Sequence, residues 1–462
     1  MSNPRIIIIG AGPCGLGAAH RLQELGYDNY VIYEKNSQVG GLAASSTDDA
    51  GFVWDFGVHV AHSHYHYFDR LMESLLPNGF YYHERRSWVR VCGSWVPYPF
   101  QYNIRHLPDG PRAECLAGLE DVCKTPRDPP SDESFDDWIR RTSGRGIAKY
   151  FMLPYNRKIW AIDLKCMGVQ WMGDRVPPID VDRVRRNVFE ARDDVSWGPN
   201  HVFAYPKQGG TGALWNALAN KLPGGTLRTN EEIIQIDPVR RRITLSSGEH
   251  DYYDYLISSM PIPDLILRAG LHELAGAAEA LRHTHVYVTG VAVNTAIPAE
   301  LVDKTWIYCP EEGASFFRVT PFSGFSPAHV PDVSCWCSLL CETSTDGRSS
   351  MVPPEKFNGL AVDGLDKVGI ISCGGRGVHY HPMTAEYGYP VPTRDRDKHL
   401  KEIIKSLETK RIFSRGRFGG WKYEVGNMDH SVMQGVEAVD RLLLGTQEKT
   451  WESPNVVNSV KQ

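Results

Sequence analysis

The run Arg5-Ile6-Ile7-Ile8-Ile9-Gly10, continued by Ala11-Gly12-Pro13-Cys14-Gly15, constrains this chain more than any other segment. Four consecutive β-branched residues ending on glycine read as a central parallel strand, apolar on both faces. From Pro13 to Leu25 the spacing is helical, with Leu16, Ala19, Leu22 and Leu25 on one side, and Gly26 stops it. Tyr30-Val31-Ile32-Tyr33-Glu34 supplies the second strand. This is one βαβ unit opened by G-x-G-x-x-G (Gly10, Gly12, Gly15), in which a tight glycine turn lets a pyrophosphate sit on the helix N-terminus. Glu34 is placed to accept hydrogen bonds from ribose hydroxyls, and its charge disfavours a 2′-phosphate.

At 462 residues the chain exceeds one ordinary core, so two or three lobes are expected. The net charge of −5 and the scattered basic residues give no nucleic-acid footprint. No apolar stretch approaches the roughly 18 residues of a membrane span, and no signal peptide is evident, so a cytoplasmic location is expected. The ten cysteines are read as free, buried thiols. Cys335 and Cys337, two apart on one strand face, make poor zinc geometry. His59, His62, His64 and His66 mix spacings of three and two with no acidic neighbour, and no metal site is expected.

Farther along, 108–192 is helical and proline-punctuated. Gly209-Gly210-Thr211-Gly212 opens a helix through Trp215 and Leu222. Strands are expected at Ile233–Asp237, Arg242–Leu245 and, returning to the first sheet, Tyr255–Ser259; residues 284–345 alternate as an antiparallel sheet, and Val436–Leu444 is helical. Gly40-Gly41-Leu42, soon after the βαβ unit, resembles the extended FAD signature of amine-oxidase-like and mutase flavoproteins. The expected class is α/β, in three parts. A discontinuous Rossmann-like FAD-binding domain takes 1–92, 206–260 and 410–462. A mainly helical substrate domain takes 103–195. An antiparallel-sheet substrate domain takes 93–102, 196–205 and 261–409.

Several longer motifs carry a closer resemblance. Asp55-Phe56-Gly57-Val58-His59-Val60-Ala61-His62-Ser63-His64-Tyr65 resembles the flavin-facing loop of UDP-galactopyranose mutases of the eukaryotic-type branch. The similarity continues through Trp95–Gln101, Pro154–Trp160, Gly173-Asp174-Arg175-Val176, Trp197-Gly198-Pro199-Asn200 and Gly209–Gly212, and ends with Ser414–Gly419, Trp421–Asn427 and Asp429-His430-Ser431. It covers nearly the whole chain in family order. It implies a flavoenzyme that interconverts pyranose and furanose forms of a UDP-sugar. In that chemistry N5 of reduced FAD attacks the anomeric carbon, UDP leaves and later returns, and NADPH reduces the flavin.

The resemblance also implies residue roles. Arg318 and Arg175 supply charge to the diphosphate, with hydroxyls from Tyr308, Tyr389 and Tyr423. Tyr98, Phe100, Gln101, Met152, Tyr155, Asn156 and Trp160 form the nucleoside pocket, Asn200 meets the sugar, and Trp306 belongs to the substrate side. His59 contacts the flavin, and His64 lies near the nicotinamide cofactor. Gly10, Gly12, Gly15, Glu34, Gly40, Gly41, Leu42, Val58, Arg417, Gly426, Asn427, Met428 and Ser431 hold the FAD, the last four at its pyrimidine edge by a helix N-terminus.

The chain departs from that pattern at one loop. The mutases carry two glycines before the histidine, then an aliphatic and an aromatic residue; here Val58 replaces the second glycine and Ala61 and His62 follow. Valine scarcely adopts positive φ, so a loop that flips with flavin redox state would be restrained. Ala61 and His62 are expected to remodel the space beside flavin and sugar. Two alternatives stay open: a related flavoenzyme acting on a different nucleotide sugar, and an FAD-dependent oxidoreductase of the amine-oxidase type. The oligomeric state is not legible.

Overall fold

The computed structural model describes residues 3–124, 132–173, 179–195 and 201–462. Ile6–Ile9 is the middle strand of a five-stranded sheet and is buried throughout. The order is Ile412–Ser414, Tyr255–Ser258, Ile6–Ile9, Tyr30–Tyr33, Leu227–Arg228, every pair parallel. Parallel neighbours need crossovers that cover both faces, which is why the middle strand carries no polar residue. Ile6 and Ile8 face one core with Leu16, Val432 and Val436; Ile7 and Ile9 face another with Ile262, Ile403 and Leu407. The dinucleotide lobe is thus drawn from the beginning, middle and end of the chain.

The helix Pro13–Glu24 crosses Met428–Leu444 at close range. A Cβ on Gly435 would fall 2.1 Å from the Cys14 carbonyl oxygen, so only glycine fits there. The second helix begins eight residues before the expected Val436. Its first turn, Asp429-His430-Ser431, is polar and breaks the apolar pattern, yet all three side chains are buried.

The second large sheet has seven strands in the order Val378–Pro390, His283–Val293, Cys337–Asp346, Arg318–Pro321, Trp306–Tyr308, Ser87–Val91, Ser94–Pro97. It is antiparallel except for one parallel pair, Trp306–Tyr308 with Ser87–Val91. The residues Ser87–Val91, which the sequence reading grouped with the dinucleotide lobe, hydrogen-bond into this sheet, so the change of sheet precedes residue 87. The helical segment comprises Asp109–Lys124, Phe135–Ile147, Leu153–Trp160 and Val181–Phe189.

All ten cysteines are free. Cys337 and Cys341 lie buried in the strand Cys337–Asp346, but Cys335 stands outside it, exposed, with its thiol directed at Asp332 Oδ2. The expectation that it is a buried strand residue therefore fails. Among the described residues no helix is long and apolar enough to cross a membrane.

Candidate active site

A cavity of about 790 Å³ opens where the strand Ile6–Ile9 meets the helix Pro13–Glu24. The three motif glycines serve it differently. Gly10 has φ +93°, and a Cβ there would strike Ser259 Oγ at 2.3 Å. Gly15 makes room for the turn itself, since its Cβ would lie 1.9 Å from the Gly10 carbonyl oxygen. Gly12 is extended, and its Cβ would meet nothing nearer than the Gly40 carbonyl oxygen at 4.0 Å. Its missing side chain therefore keeps the cavity open at the helix N-terminus. Gly41 and Leu42 line the same space, while Gly40 turns the chain toward it with φ +101° and donates its N–H to the Ala11 carbonyl. Glu34 is buried, faces the cavity, and accepts from the Ala11 N–H at 2.8 Å and the Asn36 N–H at 2.9 Å.

The far end of the cavity is walled by Phe56, His59, Arg417, Gly426, Met428 and Ser431. Asn427 caps the helix Met428–Leu444, so the N–H groups of its first turn point here. Arg417 is held by carbonyls alone, donating to Gly388 at 3.0 Å and Gly426 at 3.1 Å. Burial lowers its pKa, and no carboxylate pairs with it among the described residues. A buried cation on a cavity wall, without a counter-ion, suits a ligand that carries negative charge. An open glycine turn, a buried carboxylate and a cationic wall lining one cavity together fit FAD.

His59 faces the cavity with its Nδ1–H donated to the Gly57 carbonyl at 2.8 Å, which fixes the tautomer because a carbonyl only accepts. Burial, aided by Arg417, pushes its pKa down to about 4, so Nε2 carries a free lone pair at neutral pH. Positive φ in this loop falls on Gly57 (+82°), not on Val58. Val58 lies in the core with Phe52 and Trp54, away from the cavity.

Beyond Arg417 lies a cradle of arginine and tyrosines. Tyr308, Arg318 and Glu342 stand in one row across three adjacent strands. Opposite residues on one sheet face approach closely, and Arg318 donates to Glu342 twice, Nε at 2.8 Å and Nη2 at 2.7 Å. Tyr389 and Tyr423 bridge to the cavity, with Arg417 Cζ 5.3 Å and 6.0 Å from their ring centroids. Among the described residues the hydroxyls of Tyr308, Tyr389 and Tyr423 make no hydrogen bond. Burial raises the pKa of Tyr389, so its hydroxyl stays a neutral donor. Arrays of this kind suit two adjacent phosphates.

Next to the cradle, Tyr308 packs between Tyr98 (5.3 Å) and Tyr155 (5.2 Å). Burial pushes the Tyr98 hydroxyl up to about 12. Gln101 and Met152 are partly exposed nearby. Two residues expected to line this pocket, Phe100 and Trp160, stand behind it instead, as does Trp306, expected on the substrate side. Phe100 has no exposed surface and stacks on Phe151 at 4.9 Å. Trp160 is buried against Trp171 and Tyr423. Trp306 sits in the core with Phe203 and Phe325, under Arg85. Asn156 uses its amide internally, donating to the Met152 carbonyl at 2.7 Å and accepting from Trp160. Aromatic residues in a motif report bulk, and spacing does not say which edge faces a ligand. Arg175 and Asn200 lie outside the described residues.

A second cleft of about 650 Å³ lies on the other side of the flavin-facing loop. Ala61 and His62 line it, not the dinucleotide cavity, because Ala61 is bridged to Ala204 by paired backbone hydrogen bonds. At its edge the fold brings His64 to Asp429, which accepts from the His64 backbone N–H at 2.9 Å and ring Nδ1 at 2.8 Å. The sequence reading found no acidic partner for these histidines; Asp429 comes from 365 residues away. His64, Asp429 and His430 are close enough to share an ion, with ligand atoms within 4.8 Å. The sequence reading also missed Glu342, and no local signal marks it.

Residues 13–306 match the family model described as flavin-containing amine oxidoreductase. The fold superposes on a reduced UDP-galactopyranose mutase with a TM-score of 0.94 and 40% identity, covering 100% of this chain and 98% of the other. A fatty acid isomerase from P. acnes, which produces CLA, shares the fold at 16% identity, TM-score 0.63, over 96% of this chain and 100% of that one. A redesigned putrescine oxidase does so at 13% identity, TM-score 0.64, over 96% and 99%. The latter two, at 16% and 13% identity, share architecture alone, whereas the first is 40% identical over both chains. The chain belongs to the flavin-containing amine oxidoreductases and, within them, to the UDP-galactopyranose mutase family.

Proposed function

We propose that this protein interconverts the pyranose and furanose forms of UDP-galactose with reduced FAD. The observation that carries the reading is the continuity of two sites. The Arg318 cradle meets the flavin cavity through Tyr389 and Tyr423, which pack on Arg417. An oxidase of small amines has no use for a diphosphate cradle; an enzyme that expels UDP and takes it back must hold it in place throughout. Bound in the reduced state, FAD supplies a nucleophile at the cavity's far end. Arg318, Tyr308, Tyr389 and Tyr423 hold the diphosphate and stabilise its charge as it leaves, with Arg175 as a second cation. The Tyr98–Tyr308–Tyr155 stack seats the nucleoside, with Gln101 at the base edge and Asn200 at the sugar. His59, neutral, offers a lone pair beside the flavin.

The eukaryotic-type branch and NADPH as reductant belong to the same proposal, supported by the motif matches along the chain; a slower loop transition belongs to it too, supported by Val58 where the family carries glycine. The FAD-binding lobe, the helical lobe and the large-sheet lobe are its working parts. The test is anaerobic incubation of dithionite-reduced protein with UDP-galactopyranose. The expected product is UDP-galactofuranose, with the flavin still reduced. Substrate consumption only when oxygen is admitted, in proportion to the oxygen used, would overturn the reading in favour of an oxidase.

A further inference from the structure

The helix Leu153–Trp160 carries Tyr155 and, three residues later on the same side, Lys158. The Lys158 ammonium is partly buried and, among the described residues, forms no ion pair with a carboxylate. It donates instead to four backbone carbonyls of one loop: Cys309 at 3.0 Å, Ala314 at 2.7 Å, Phe316 at 3.2 Å, and Glu311. An ammonium has three N–H bonds, so four acceptors share them and the ring of carbonyls is saturated. This loop joins the strands Trp306–Tyr308 and Arg318–Pro321. Its base is closed by the Cys309 N–H donating to the Phe317 carbonyl at 2.9 Å, immediately behind the opposed pair Tyr308 and Arg318. On its outer side Glu311 accepts from the Cys92 N–H at 2.6 Å.

We propose that Lys158 is a positioning residue for the diphosphate cradle: its ammonium gathers the carbonyls of the 309–316 loop and so fixes the hairpin that presents Tyr308 and Arg318. It also ties that hairpin to the nucleoside helix. The hairpin touches the helix at two points, Tyr155 against Tyr308 and Lys158 inside the loop, and a hinge held at two points cannot rotate. Carbonyls converging without a cation repel one another, so removing the ammonium opens the loop and lets Arg318 and Tyr308 drift apart from Tyr155. Burial pushes the pKa of Lys158 down to about 8, against the raising influence of the nearby Glu311 and Glu312 carboxylates. The inference rests on the reading of the cradle as a UDP site.

The experiment uses the FAD-loaded protein. Lys158→Met is expected to weaken UDP about tenfold or more in a calorimetric titration, the loss expected for charge-assisted bonds. It should raise KM for UDP-galactopyranose in step, with flavin content unchanged and kcat within about threefold. Lys158→Ala lacks the atoms of n-propylammonium. Adding that cation should restore UDP affinity in part, while tetramethylammonium, which has no N–H, should not. If Lys158→Met does not fold, Lys158→Gln, which keeps two N–H donors, takes its place. Unchanged UDP affinity in a folded variant overturns the proposal, as does a loss that propylammonium leaves uncorrected. Arg318→Lys separates the layers: if it too leaves UDP binding unchanged, the cradle reading itself fails, whereas a loss there beside normal binding in Lys158→Met removes only the role of Lys158.

Discussion

His329 stacks on Phe322 with ring centroids 3.9 Å apart and donates its Nδ1–H to the carbonyl of the same residue at 2.8 Å. Its Nε2 is buried and has no hydrogen-bond partner among the described residues, and burial pushes the pKa down to about 4. His59, His62 and His283 are likewise held at about 4 by burial. A histidine depressed in the folded state binds its proton more readily when unfolded. The stability it contributes is fully present above the unfolded value of about 6.5 and is lost as pH falls toward 4. The melting temperature is expected to drop steeply from pH 6.5 to 5, and less steeply in His329→Gln. Calorimetric scans across that range check this; equal slopes for the two proteins would show that His329 does not titrate on unfolding.

The cradle arginine should separate binding from stability. Arg318→Lys keeps a cation opposite Glu342 but loses the two-pronged geometry, and UDP affinity should fall about tenfold or more. Arg318→Ala also leaves a carboxylate that is only 2% exposed without its counter-charge. That variant should in addition lose about 3–5 kcal/mol of stability. UDP titration and denaturant unfolding report the two effects independently.

The motif glycines make a sharper pair. Gly12→Val should fold, because the backbone there is extended and the added Cβ meets only open space, yet its side chain enters the pyrophosphate position. The purified protein should be colourless or nearly so. Gly15→Ala should fail earlier, as poor soluble yield, because its Cβ would overlap the Gly10 carbonyl oxygen. A yellow Gly12→Val protein with full flavin absorbance would show that the dinucleotide binds elsewhere.

The altered loop yields a third contrast. Val58 is buried and holds a conformation suited to valine, so Val58→Gly should cost about 1–3 kcal/mol through lost burial and a more flexible unfolded chain. If the loop must visit positive φ during turnover, the same change should raise the rate of furanose formation by reduced protein. Ala61→Val with His62→Phe should leave UDP affinity within about twofold, since both residues line the other cleft. Furanose formation at saturating substrate, followed by chromatography, checks the rate, denaturant unfolding the stability of Val58→Gly, and UDP titration the affinity of the double variant.

Much of the fold could be read in advance because its signals are local. Four isoleucines, a glycine turn and a 3.6-residue apolar stripe specify one βαβ unit whatever lies elsewhere, and the alternation near Val286 and Leu340 fixes two paired strands. What escaped depended on distant partners. Nothing near His64 announces Asp429, and nothing near Arg318 announces Glu342, which arrives on a neighbouring strand 24 residues later. The aromatic motifs mark a region of bulk, in which Phe100, Trp160 and Trp306 lie behind the Tyr98–Tyr308–Tyr155 stack. Ser87–Val91 was assigned by its place in the chain, whereas its hydrogen-bond partners place it in the larger sheet.

Arg417 carries a consequence for electron chemistry. Its charge is solvated by two carbonyls and by aromatic faces, an arrangement that gains most when an anion arrives beside it. On the proposed reading this wall lies at the pyrimidine edge of FAD, which acquires negative charge on reduction, and the cation would favour the reduced form over the oxidised one. By linkage that preference raises the midpoint potential of the bound cofactor, about 30 mV for each tenfold ratio of affinities in a two-electron couple. A cofactor poised this way would be held in its reduced form at equilibrium, so that a single reduction would serve many redox-neutral turnovers.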